Sequence, residues 1–183
     1  MMECKAALTE ANGNMEEAVT VLRKRGLAQA AKRAGRNTSQ GLVSSYIHMG
    51  GKIGVLLEVN CESDFVARTE DFQHLVKEVA MHIAAADPKY VRREDVPAEL
   101  VEKEKAIYRS QFEGSGKPAQ VIEKIVEGKL GSFYSQIALL DQPSVRDQAV
   151  TVGQMVSQAV AKTGENIVVS RFSRFKLGES AAE

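Results

Sequence analysis

Several stretches of the sequence carry residue types that do chemistry. Gly114-Ser115-Gly116-Lys117 has the glycines and the lysine of a phosphate-cradling loop, where backbone N–H groups and an ammonium hold a nucleotide's phosphates. Gln111 stands where the first glycine of that pattern belongs, Pro118 replaces the Ser/Thr that would hold magnesium, and a helical pattern precedes it instead of a strand. The stretch reads as a loop and a helix start. His74, Glu78 and His82 recur at i+4 spacing, which would offer metal ligands from one helix face. Nothing else in the sequence converges on them, so they read as a solvated face, and no metal site or cofactor is expected. Cys4 and Cys61 have neither a C-x-x-C spacing nor a neighbouring base, which argues against zinc, a disulfide framework and a nucleophilic thiol. There is no G-x-S-x-G elbow, so no residues can be nominated for an enzyme.

Two stretches point to contact with other molecules. From Arg23 to Arg36 the chain holds six basic and no acidic residues. Such a run suits phosphates, but it lacks interleaved aromatics for base stacking and reads as a solubilising basic hinge. An RNA-associated translation protein is the alternative it supports. The other stretch is Cys61-Glu62-Ser63-Asp64-Phe65-Val66. Ser63 or Asp64 makes a good helix N-cap. Phe65, in the first turn beside a capping carboxylate, must either staple onto the core or project outward as an anchor for a partner's pocket, and composition does not choose between these.

The elements that position these residues follow from periodicity. Cys4, Ala7, Leu8 and Ala11 share one face of a short helix that Gly13 closes, and Asn14 with Glu17 makes a capping-box-like start for a second helix, its stripe Ala18, Val21 and Leu22 ending at Gly26. Gly41 to His48 and Ile53 to Val59 flank Gly50-Gly51, which predicts a hairpin with a two-residue primed turn, its second strand apolar on one face. Phe72, Leu75, Val76, Val79, Ala80 and Ile83 form the strongest helical stripe in the chain, which is expected to cover the hairpin. Pro97 opens a charged helix running to about Phe112, and Pro118 opens another with Val121, Ile122, Ile125 and Val126 inward, punctuated by Gly128 and Gly131. Val152, Met155, Val156, Ala159 and Val160 make a further stripe. Ile167 to Leu177 is rich in β-branched and aromatic residues and reads as a strand that pairs with the hairpin, in an order the sequence does not fix.

Composition bounds the classes. At 183 residues, with 44% hydrophobic and 26% charged residues, the chain is of a size for one or two compact domains. Its 24 basic and 24 acidic residues cancel, so no global field draws it onto nucleic acid or an anionic membrane. No apolar run approaches the roughly 20 residues of a membrane helix, the N-terminus lacks the apolar core of a secretory signal, and a cytoplasmic protein is expected.

The residues Leu57-Glu58-Val59-Asn60-Cys61-Glu62-Ser63-Asp64-Phe65-Val66-Ala67 resemble the signature of the bacterial elongation factor Ts family, in its short type. The segments from Met2 to Gly13, Ala34-Gly35-Arg36, Asp87 to Val91, Glu123 to Gly128, Gly164-Glu165-Asn166-Ile167 and Arg171 to Phe175 fall in the same order, so the resemblance spans nearly the whole chain. It implies an α+β fold: a small N-terminal helical domain of ubiquitin-associated type over residues 1–36 with the basic hinge, then a core over 37–183 whose three-stranded antiparallel sheet packs against helices and carries dimerisation. It implies a non-covalent guanine nucleotide exchange factor whose partner is elongation factor Tu. Ser63, Asp64, Phe65 and Val66 fall on the family's Thr-Asp-Phe-Val motif, serine replacing threonine. In the family the phenylalanine wedges between two helices of the partner's GTP-binding domain, and the disturbance displaces the Mg2+ ion that helps hold GDP. Two departures accompany the resemblance. Family members normally begin with a further helix before Thr-Gly-Ala-Gly-x-Met, whereas this sequence starts at Met1-Met2, so a small domain without its first helix is expected. Longer members also carry two core subdomains and an inserted helical hairpin, and the short type is expected to act as a homodimer.

Overall fold

A computed structural model describes residues 2–179. In chain order its elements are α1 (Met2–Glu10), α2 (Met15–Arg33), β1 (Gln40–Ile47), β2 (Ile53–Cys61), α3 (Asp64–Ala67), α4 (Glu70–Ala86), α5 (Ala98–Ser110), α6 (Ala119–Ile137), α7 (Val152–Thr163) and β3 (Ile167–Lys176), with single 3-10 turns at Arg93–Asp95 and Leu139–Asp141. This is the expected α+β class. The chain divides into two compact units, one made of the residues up to Met81 together with those from Gln154 onward, the other of His82–Gly153. Met1 and residues 180–183, the outer ends of the two expected domains, lie outside the described residues.

In the first unit, α1 and α2 are joined by a tight reversal. Gly13 donates its N–H to Leu8 O (2.8 Å) and Asn12 to Thr9 O (3.2 Å), the paired bonds of a Schellman closure. Asn12 (φ 48°) takes the left-handed place next to the helix end, ahead of Gly13 (φ 84°). Asn14 then caps α2, its side chain accepting from the N–H groups of Glu16 and Glu17. Ala7, Ala11 and Ala18 form a small buried cluster with Leu8, Val21 and Leu22 against it. The expected stop at Gly26 is corrected: α2 runs through it to Arg33. A Cβ at Gly26 would come within 3.3 Å of the Ala161 Cβ. This glycine therefore serves a close approach between α2 and α7, not a turn.

The sheet order is β1-β2-β3, both pairs antiparallel. Alternation along β2 places Val55, Leu57, Val59 and Cys61 in the core, joined by Ile167 and Val169 of β3 and by Phe72, Leu75, Val76, Val79 and Ala80 of α4. The hairpin forms as expected, with a longer loop. His48 N–H donates to Ile53 O and Gly51 N–H to His48 O (both 2.9 Å), so Met49–Lys52 make a four-residue connection with Gly50 (φ 86°) at the turn position that demands positive φ.

The second unit contains a helical pair. In the last turn of α5, Arg109 forks onto Glu123 of α6 with Nε–Oε1 at 2.7 Å and Nη2–Oε2 at 3.0 Å. This short chain thus carries a helical hairpin of its own. Val121, expected to face inward, is exposed, while Ile122 and Ile125 are half-buried and Val126 is buried. Gly128 and Gly131 do not interrupt α6, which runs to Ile137. Residues 111–118 form the loop read from sequence, with Gly114 and Gly116 both at positive φ, and Lys117 lies over the Phe112 ring at 5.0 Å.

His82 is the buried polar centre of this unit, 1% exposed. Its Nε2 and the Gln142 Oε1 are 2.8 Å apart, Gln142 Nε2 donates to Gln136 O (2.8 Å), and Val145 N–H donates to His82 Nδ1 (3.3 Å). With Nδ1 accepting, the proton sits on Nε2, and a second proton would break the Val145 bond. Burial lowers the His82 pKa below the ordinary imidazole value, with the Gln142 bond opposing. The neutral ring therefore favours the folded state. Its contribution is complete above the unfolded-state pKa of about 6.5 and is lost as pH falls through that value toward the depressed folded one. We expect the unfolding free energy, measured by urea titration, to drop more steeply between about pH 7 and about pH 5 than that of His82→Gln, a range that straddles the free imidazole value. Parallel pH profiles for the two proteins would rule this out.

Candidate functional site

The stretch 61–69 is a turn built to display one side chain. At the end of β2 the chain stays extended at Ser63 (φ −126°, ψ 155°), whose hydroxyl accepts from Val66 N–H at 3.3 Å and so caps α3. The expected cap thus belongs to Ser63, but on this short helix rather than the long one. A second start follows at once, where the Thr69 hydroxyl accepts from Phe72 N–H (3.3 Å) and donates to Val66 O (2.7 Å). Of the four candidate residues, Val66 is buried with Ala67, and both tether the turn to the core. Asp64 faces solvent and pairs with Arg68 Nη2 at 2.9 Å. Phe65 projects outward, 77% exposed. The alternative in which it staples onto the core does not occur.

Residues without an assigned role in the sequence complete the site. The Glu165 carboxylate, in the turn between α7 and β3, accepts from Ser63 on both sides, Oε2 from the backbone N–H (2.9 Å) and Oε1 from the hydroxyl (2.6 Å). Beside it, Asn166 N–H donates to Glu62 Oε1 (2.6 Å) and its amide donates to Arg36 O (3.0 Å), while Arg36 Nη1 lies 3.6 Å from the same Glu62 oxygen. Glu165 and Ser63 are 102 positions apart, a separation at which no sequence spacing signals a contact.

The other candidates separate. The solvated face expected of His74, Glu78 and His82 is corrected: His74 stands out to solvent with its Nε2 3.7 Å from Glu78, whereas Glu78 is buried and His82 is buried on Gln142, and no three His, Cys, Asp or Glu side chains among the described residues converge as metal ligands. Cys61 is buried, donates to Ser63 O (3.1 Å), and burial pushes its thiol pKa up, the reverse of what activates a nucleophile. The basic run lies largely on α2. Arg25 pairs with Glu10, Arg23 donates to Gln154, Arg33 to Gln29, and Arg36 meets Glu62, so these cations serve contacts within the protein.

An exposed aromatic on a fixed turn is the chemistry of macromolecular contact. Comparison with known proteins gives that contact its setting. The sequence profile described as Elongation factor TS matches residues 3–179. Elongation factor Ts of Koribacter versatilis (strain Ellin345) is 62% identical over 179 residues, covering 98% of this chain and 82% of its own length. That of Fervidobacterium nodosum (strain ATCC 35602 / DSM 5306 / Rt17-B1) is 63% identical over 179 residues, covering 98% and 91%. The matching profile and relatives place the chain among translation elongation factors. The chain belongs to the elongation factor Ts family. Among the described residues no helix is long and apolar enough to cross a membrane.

Proposed function

We propose that this chain is a guanine nucleotide exchange factor for elongation factor Tu: it binds the GDP form, displaces the partner's Mg2+ and releases GDP so that GTP can bind. The observation that carries the reading is Phe65, exposed on a turn whose neighbours Val66 and Ala67 are buried, within a Ser-Asp-Phe-Val sequence that resembles the family motif. Asp64, beside it, is also exposed, with its carboxylate paired to Arg68. The chemistry is non-covalent and cytoplasmic, with no cofactor, membrane or direct nucleic-acid contact required of this chain. Mg2+ bridges phosphate oxygens to the partner's side chains, so its displacement removes the largest local positive charge from a polyanionic ligand. The coupling is reciprocal: exchange factor and nucleotide weaken each other's binding by the same factor, and incoming GTP expels the exchange factor. In this reading residues 1–36 act as a helical docking module and 37–183 as the core. Stopped-flow release of a fluorescent GDP from elongation factor Tu tests it. The intact chain is expected to accelerate release, and an unchanged rate overturns the proposal.

The active form is a homodimer in the same reading. What supports this is the outer face of the sheet, where Val43 and Ile47 of β1, Leu56 of β2 and Phe175 of β3 stand exposed. They share a face by strand alternation and register, around the cross-strand Glu58–Arg171 pair, in which the guanidinium holds the Glu58 carboxyl below its usual range. An apolar sheet face is a surface that proteins cover. Sedimentation equilibrium at micromolar concentration is expected to give twice the chain mass, and Leu56→Glu the single mass. A single mass for the unaltered chain counts against the dimer.

A further inference from the structure

We infer that Glu165 is a positioning residue for the exchange reaction: it brackets Ser63 from a distant turn and so fixes the direction in which Phe65 projects. The inference rests on the exchange-factor reading above and adds to it a residue outside the motif.

An exposed phenylalanine has no packing of its own to orient it. Its direction is set by the backbone that bears it, and here that backbone is a single turn of helix, α3 (Asp64–Ala67), too short to hold itself. Burial of Val66 and Ala67 fastens the inner side of the turn. Its entry point is Ser63, and there the Glu165 carboxylate takes two hydrogen bonds from one residue. The backbone bond (2.9 Å) fixes where the chain enters, and the hydroxyl bond (2.6 Å) fixes the rotamer. Because the hydroxyl proton goes to Glu165, the Ser63 oxygen lone pairs are free to accept from Val66 N–H, so bracket and cap act as one device. Both bonds are charge-assisted, the stronger class.

Glu165 is itself held. Gly164 N–H donates to Val160 O (3.0 Å), closing α7 at positive φ. The Thr163 hydroxyl donates to Ala159 O (2.8 Å) and accepts from Glu165 N–H (3.4 Å). On the other side β3 begins at Ile167, directly after Asn166 has bonded Glu62 and Arg36. The bracket thus ties the Phe65 turn to a helix end, to a strand start and to the segment that follows α2. Asp64 offers no substitute, since its carboxylate is exposed and engaged with Arg68.

Two measurements on the full chain test the proposal together, with Glu165→Ala, Glu165→Gln, Ser63→Ala, the double variant Ser63→Ala/Glu165→Ala, and Phe65→Ala. The first is amide hydrogen exchange of the free protein. In Glu165→Ala the amides of Ser63 and Val66 are expected to exchange at least about tenfold faster while those within α4 keep their rates, the signature of local opening. The second is GDP release from elongation factor Tu as a function of exchange-factor concentration. Glu165→Ala is expected to lower the saturating rate roughly tenfold and leave the half-saturating concentration within about twofold, because contact area is kept and only its direction is lost. Glu165→Gln keeps a carbonyl acceptor and is expected to recover part of the rate. Adding Ser63→Ala to Glu165→Ala is expected to cost less than about twofold more, since the two act as one unit. Unchanged amide exchange at Ser63 and Val66 overturns the bracket whatever the release kinetics show. Faster amide exchange with an undiminished saturating rate, where Phe65→Ala collapses that rate, overturns the positioning role. If the unaltered chain fails to accelerate release, or Phe65→Ala leaves the rate intact, the exchange-factor reading or its wedge fails instead, and the positioning role falls with it.

Discussion

Replacing Phe65 with alanine is expected to lower the acceleration of GDP release roughly thirtyfold while leaving the stability of the chain within about 0.5 kcal/mol. The asymmetry comes from where the ring sits. At 77% exposure it contributes little to the folded core, and its removal leaves no cavity. Seated in a partner it behaves as an aromatic anchor, worth roughly 2 kcal/mol or more, and each factor of ten in rate takes about 1.4 kcal/mol. Val66, one position on, shows the reverse asymmetry: it is buried, and truncating it loosens the turn itself. Phe65→Leu keeps most of the apolar area and is expected to fall between wild type and alanine. The experiment pairs stopped-flow release with urea unfolding of the same samples. A large loss of stability in Phe65→Ala would mean that the ring packs at home, and undiminished acceleration would mean that another surface does the work.

Legibility in the sequence followed the range of the interaction concerned. The stripe from Phe72 to Ile83 and the alternation from Ile53 to Val59 arise from local periodicity against a core, and both were readable: the stripe is buried, as are Val55, Leu57 and Val59, with Ile53 half-buried. Ser63 as a cap was readable because capping is also local, a side chain meeting an N–H three residues on. Glycines misled where residue type alone had to choose between two uses. Gly13 closes a helix, whereas Gly26, Gly128 and Gly131 sit inside helices, the first where an added Cβ would lie 3.3 Å from the Ala161 Cβ. Residue type likewise placed Val121 inward with Ile122, Ile125 and Val126, whereas it stands exposed at the edge of that stripe. In the candidate site the display of Phe65 was one of two open readings. Its bracket, Glu165 across 102 positions, is a tertiary contact between two polar residues that no hydrophobic pattern encodes. What places the ring was therefore hidden, while the ring itself was in plain view.

The same glycine-to-alanine change is expected to act with opposite sign at two positions, and the difference isolates how β1 meets β2. At Gly41 (φ 144°), opposite Asn60, an added Cβ would lie 2.1 Å from Val59 O, 2.7 Å from Asn60 Cα and 3.0 Å from Val59 C. All three are backbone atoms of the central strand, which cannot step aside as a flexible side chain would. The clash must push out β1, an edge strand, where Gln40 and Gly41 pair with Cys61 and Asn60. Backbone strain of about 1–3 kcal/mol and overpacking of similar size give an expected loss of roughly 3 kcal/mol, about 10 °C in Tm for a chain of this size. At Gly128, inside α6, nothing lies within 4 Å of an added Cβ, and φ is not in the left-handed region. Alanine there restricts the unfolded chain and favours helix, so Gly128→Ala is expected to gain about 0.5–1 kcal/mol. Because α3 packs on β1 and β2, Gly41→Ala is also expected to slow GDP release, through the seat of the turn that carries Phe65. Thermal unfolding of the two variants beside the unaltered chain reads both signs. A Gly41→Ala protein within about 0.5 kcal/mol of wild type would show that β1 does not approach the β2 backbone closely enough to exclude a methyl group.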